Sequence, residues 1–208
     1  MKPPMAPCPD SFHRMFTLSR ICSLLLLLAL ALALDSCVTP GTPATRLERA
    51  RHLSHDLQQL SPTVSTREAD LLATTAIEET AKLSEDFKPF AHPWINNGLV
   101  NTGLRKRGLC YQWRDDLFPF LFRLNLKTLE LHLASSKRDT WQEHHGIIVT
   151  AKGQRFEDGL VIDPWRKGGR LWWGLLKNDK GHPWVPLPWK LTPMVLRPLL
   201  MPDLYPTR

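Results

Sequence analysis

The spacing of apolar residues changes character along this chain, from an unbroken run, to a helical stripe, to strand-like alternation. Ile21 to Leu34 is apolar except for Cys22 and Ser23. Over residues 45–60, Leu47, Ala50, Leu53, Leu57 and Leu60 recur at steps of three and four, which predicts a helix stopped by Pro62. Residues 66–84 predict a second helix, capped by Ser65 or Thr66 and striped by Leu71, Leu72, Ile77 and Leu83. Residues 85–109 predict a loop, with Asn96-Asn97-Gly98 and Asn101-Thr102-Gly103 as turns. From Cys110 to Leu124 a helical face returns through Trp113, Leu117, Phe120, Leu121 and Leu124, with a kink or split expected at Pro119. Strands are predicted over 126–133, 145–151, 159–163 and 170–176. From His182 onward, seven prolines in 27 residues predict an extended arm packed over the domain rather than a helix. Helices first and strands afterwards imply one α+β domain.

The first apolar run has 14 residues, short for a membrane span and suited to a secretion signal, with Lys2, Arg14 and Arg20 ahead of it. Leu34-Asp35-Ser36-Cys37 follows and resembles the lipobox of bacterial lipoproteins, which implies lipidation at Cys37. Val38 after that cysteine fits sorting to the outer membrane, facing the periplasm. The division expected is a signal over 1–37, a tether over 38–45 and a single domain over 46–208. A cleaved signal on a soluble protein and a single-span anchor are the other readings.

Net charge is +7; 1–37 holds three basic and two acidic residues, which leaves +6 on the remainder. The cations are scattered and not interleaved with aromatics, so no nucleic-acid partner is expected, while an anionic envelope surface is compatible. The apolar fraction of 43% and eight tryptophans suffice for a core.

Cys8 and Cys22 leave with a signal and Cys37 takes the lipid, so Cys110 is left without a partner in an oxidising compartment. An unpaired thiol is either a reactive nucleophile or a buried small hydrophobe. Its position favours the first. Gly108 precedes it and a helix opens at it, and a helix N-terminus lowers a thiol pKa and can hold an oxyanion. A base is available from His144-His145 at a strand start. Neighbours on a strand point to opposite faces, so only one histidine can serve. His145 is preferred, because Gly146 leaves room beside its ring, with His144 as the alternate. Asp163, ending a strand before Pro164, suits the role of orienting the imidazole. Asn97, Asn101 and Gln112 are possible oxyanion donors, and Asp115 and Asp116 read as solvent-facing. Trp165, Trp172, Trp173, Trp184 and Trp189 either pack or line a sugar or peptide groove. A metal site drawn from His144, His145, Asp163, His132 and His182 lacks any known ligand spacing, so neither metal nor cofactor is expected.

Gly108-Leu109-Cys110 opening a helix, His145-Gly146-Ile147 opening a strand and Val161-Ile162-Asp163-Pro164 ending the next resemble the transglutaminase-like branch of the papain-like cysteine protease superfamily. The separations of 35 and 18 residues resemble that branch too, and the likeness covers about residues 100–175. It implies a Cys-bearing helix packed on an antiparallel sheet, with Cys110 as nucleophile, His145 as base and acid, and Asp163 as orienter. The expected function is a lipid-anchored thiol hydrolase or acyl transferase acting on amide bonds of a peptide, a cell-wall cross-link or a protein side chain. The alternative is a non-catalytic envelope lipoprotein that binds peptide or glycan on the same fold.

Overall fold

The computed structural model describes residues 40–201. The signal segment and Cys37 lie outside the described residues, as do the first two residues of the expected tether.

Helix α1 (Pro43–Gln58) begins inside the expected tether, because Thr42 Oγ1 accepts from Thr45 N–H at 3.3 Å and Pro43 fits the first turn. Its inner face is Ala50, Leu53, Ser54 and Leu57, whereas Leu47 is half exposed. Helix α2 (Thr66–Phe87) runs three residues past its expected end and stops where Lys88 turns left-handed at φ 45°. Ala69, Ala73 and Ala76 on its buried side let α1 approach closely, and Ser54 Oγ donates to Asp70 Oδ1 at 2.5 Å between the two helices.

The expected loop 85–109 contains a helix, α3 (Pro93–Asn101). Pro93 occupies its first turn, and the buried Asn96 side chain bonds both backbone groups of Phe90, accepting at 2.9 Å and donating at 3.0 Å. These tertiary bonds override the turn tendency of Asn-Asn-Gly. Helix α4 (Cys110–Phe122) is not split at Pro119; the proline lies in its last turn, three residues before the end.

Five strands follow: β1 (Leu129–Ser136), β2 (His144–Ala151), β3 (Leu160–Asp163), β4 (Trp172–Leu175) and β5 (Trp184–Pro186). They form one antiparallel sheet in the order β4-β3-β2-β1-β5. Strand β1 lies three residues later than expected. Glu68 on α2 takes the N–H groups of Lys127 and Thr128, each at 2.8 Å, and the Thr128 hydroxyl at 2.6 Å, so ladder pairing starts only at Leu129. The arm after His182 is not wholly extended: β5 joins the sheet edge, and a four-residue helix α5 (Arg197–Leu200) ends the described chain, with Pro198 in its first turn.

Helices cover one face of the sheet. Leu53, Leu57, Leu72, Leu117 and Leu121 are fully buried with Ile147, Val149, Leu160 and Ile162, each such side chain contributing about 2 kcal/mol. Helix α4 sits between α2 and β2. The opposite face carries Ala134, Ile148, Val161 and Trp184. No helix among the described residues is long and apolar enough to cross a membrane.

Candidate functional site

Gly108 adopts φ +143°, a region side chains rarely enter, and both of its backbone groups are used. Its N–H donates to Gln112 Oε1 at 2.7 Å, and its carbonyl accepts from the buried Trp113 Nε1 at 3.2 Å. Gln112 Oε1 also takes Leu109 N–H at 3.0 Å, which closes a cap over the start of α4. Gln112 thus spends its oxygen on the helix start. Cys110 is the first helical residue. Its N–H and that of Tyr111 precede the first intrahelical bonds, which run from Gln112 and Trp113 to the Leu109 carbonyl. The thiol is 8% exposed, with Sγ 3.9 Å from the Glu143 carbonyl oxygen.

The two histidines go to different faces, and it is His144, the alternate, and not the preferred His145, that meets Asp163. Register pairs Ile147 with Ile162 on the helix-covered face. Asp163, one residue on, faces the other way, together with Gly146 and His144. His144 Nε2 and Asp163 Oδ2 are 2.6 Å apart, both side chains nearly or wholly buried. Gly146 does not make room for His145. A Cβ there would lie 2.9 Å from Trp184 Cη2, so the missing side chain admits the indole that packs at 5.4 Å from the His144 ring.

His145 turns to α4 and meets Arg114, whose Nη1 lies 2.6 Å from its Nδ1. A guanidinium only donates, so Nδ1 accepts and the proton sits on Nε2, 3.0 Å from Glu143 Oε1. Burial, then the Arg114 charge, then His144 push His145 down to about 3, which keeps it neutral. Arg114 is itself buried and bonds Asp115 Oδ1 through Nη2 at 2.7 Å. Asp115 is therefore not a solvent-facing residue; burial raises its carboxyl against the pull of Arg114. Asp116 pairs with Arg107 at 2.7 Å.

Around the His144–Asp163 pair, burial alone would favour neutral forms. It is outweighed on both sides: Asp163, and then Cys110, raise His144, while His144 and Arg166 hold Asp163 low. Nε2 is committed to Asp163, and Nδ1 is buried with no completed hydrogen bond among the described residues. Asp163 also accepts from the N–H groups of Trp165 and Arg166 at 3.1 and 3.0 Å, and from Arg166 Nε at 2.9 Å. Arg166 had no role in the sequence reading; a cation three residues after a buried acid was the available signal.

The five tryptophans, read as either packing or a groove, are dispersed. Trp172 lies under Arg166 at 3.8 Å, Trp173 under Arg49 at 4.8 Å, Trp189 under Arg197 at 5.6 Å, and Trp184 is buried. Trp165 packs 4.8 Å from His144 and donates to Asn97 Oδ1 at 3.2 Å. From Trp165 an aromatic file leads outward through Trp94 to Trp141, which is 80% exposed. His132 sits with Thr150 on the sheet. Comparison with protein-family models, curated proteins and solved structures finds no match to this chain.

Proposed function

We propose that this chain is a thiol-dependent hydrolase or acyl transferase acting on amide bonds, with Cys110 as nucleophile, His144 as base and acid, and Asp163 as orienter. The observation that carries the reading is the 2.6 Å bond between His144 Nε2 and Asp163, made while Cys110 acts on the same ring. It leaves Nδ1 as the nitrogen for the thiol proton. The helix-on-sheet arrangement, with a Cys at the helix start and a strand His and strand-end Asp beside it, supports the papain-like, transglutaminase-like architecture that the motifs resemble.

The Cys110 proton passes to His144 Nδ1, and the thiolate attacks the amide carbonyl carbon. The N–H groups of Cys110 and Tyr111, at the positive end of α4, suit the developing oxyanion. His144 returns the proton to the leaving amine as the C–N bond breaks. Water or a second amine then takes the acyl group from sulfur, its proton passing through His144. Asp163 stays ionised and fixes the tautomer throughout. The mechanism calls on no cofactor. The tilted rings of Trp94, Trp141 and Trp165 suit an apolar part of the substrate beside the amide. Anchoring through a lipid on Cys37 in a bacterial envelope completes the proposal.

A second reading, a non-catalytic module binding peptide or glycan, is favoured by the low exposure of the thiol. Iodoacetamide labelling of Cys110, resolved by peptide mass spectrometry between pH 5 and 9, separates the two. An activated site alkylates at pH 6 at least about tenfold faster than free cysteine. A Cys110 no faster than free cysteine over the whole range sinks the enzyme reading.

A further inference from the structure

Beyond the triad, one carboxylate gathers three of the side chains that brace it. Asp179 lies in the turn after β4, where its N–H bonds the Leu176 carbonyl at 3.1 Å and its own carbonyl takes His182 N–H at 2.9 Å. Its side chain is 8% exposed and meets three partners. Oδ2 accepts from Arg166 Nη2 at 2.7 Å and from Trp184 Nε1 at 2.9 Å, and Oδ1 lies 3.1 Å from His182 Nδ1. Each partner touches the His144–Asp163 pair. Arg166 spans two acids, with Nε on Asp163 and Nη2 on Asp179, and its Cζ lies over the Trp172 ring at 3.8 Å. The rings of His182 and Trp184 pack against the imidazole of His144 at 5.3 and 5.4 Å.

Resting on the thiol-enzyme reading, we infer that Asp179 is a positioning residue for the reaction. It shares Arg166 with Asp163 and clamps His182 and Trp184 over His144, so that Nδ1 keeps its aim at Cys110. Without Asp179, Arg166 has one acid to satisfy instead of two and pulls harder on Asp163. The carboxylate then has less to offer His144, and the two rings lose the anchor that presses them onto the imidazole. A carboxylate serving fold stability alone lowers the melting temperature when removed, yet leaves the chemistry of His144 where it was.

The groups facing His144 are Asp163 and Trp165 from β3 and its exit, Cys110 from α4, and His182 and Trp184 from the turn and β5. The test follows the His144 imidazole by proton–nitrogen NMR against pH in the full chain, beside Cys110 alkylation by iodoacetamide. Asp179→Asn is expected to lower the His144 titration by about one pH unit and to slow alkylation at pH 6 about tenfold. Asp179→Glu, which keeps the charge, recovers most of both. An unchanged His144 titration in Asp179→Asn overturns the inference. If Asp179→Asn does not fold, Arg166→Lys decides. A lysine keeps the charge but cannot span both carboxylates, so a His144 titration displaced in either direction supports the inference and an unchanged one overturns it. The NMR readout does not depend on sulfur reactivity. An unreactive wild-type Cys110 therefore sinks the enzyme reading, while the His144 titration still judges the role of Asp179.

Discussion

His144 and Asp163 stand on neighbouring strands of one sheet face, joined at 2.6 Å, while His145, one residue away, is bound to Arg114 on the other face. The two adjacent imidazoles are therefore separable by mutation. His144→Gln is expected to slow Cys110 alkylation at pH 6 roughly tenfold or more, and His145→Gln to change it by less than about threefold. Equal effects from both contradict the assignment.

The same two histidines give stability opposite slopes in pH. His144 is raised to about 9, so its contribution is complete below about pH 6.5 and fades as pH rises through its folded value. His145 is lowered to about 3; below about pH 6.5 the unfolded chain takes a proton that the folded chain refuses, and stability falls with acidity. Asp163, held low, adds a further loss only below about pH 4. Urea midpoints across pH are expected to peak near 6.5. His144→Gln flattens the alkaline limb and His145→Gln the acid limb above pH 4.

Gly146→Ala places a Cβ 2.9 Å from Trp184 Cη2 and 3.2 Å from its Cζ3. The indole must shift, at a cost of about 1–3 kcal/mol, read by urea unfolding. Because Trp184 also packs on His144, Cys110 alkylation at pH 6 is expected to fall with it.

Arg114→Met leaves Asp115 and His145 without their cation in a buried setting. The expected loss is about 3 kcal/mol or more. Adding Asp115→Asn recovers part of it, since the stranded charge is then gone. Thermal unfolding of the single and double variants gives both numbers.

The sequence was informative where pattern and chemistry coincide. The helix opening at Cys110 and the buried strand ending at Asp163 are both marked by breaks in the apolar pattern. The choice between His144 and His145 was not legible, because it depends on which residue of β3 lies opposite Ile147, and pairing register is a tertiary property. Helix α3 was hidden because Asn96 acts through two bonds to Phe90 that local propensity does not contain. Strand β1 slid three residues because Glu68, about sixty positions earlier, claims the N–H groups before Leu129. Asp179 lies among Lys177, Asn178 and Lys180 with nothing local to set it apart, and only the fold brings Arg166 and Trp184 to it.

The braces of the imidazole come from the tail of the chain. During synthesis Cys110, His144 and Asp163 leave the ribosome first, and Asp179, His182 and Trp184 follow. A nascent chain stopped at Asn178 holds all three proposed triad residues with Trp165 and Arg166, but lacks Asp179, His182 and Trp184. On the proposed mechanism, the thiol gains an aimed base only when β5 docks on β1, so reactivity follows the synthesis of Trp184 rather than that of the nucleophile.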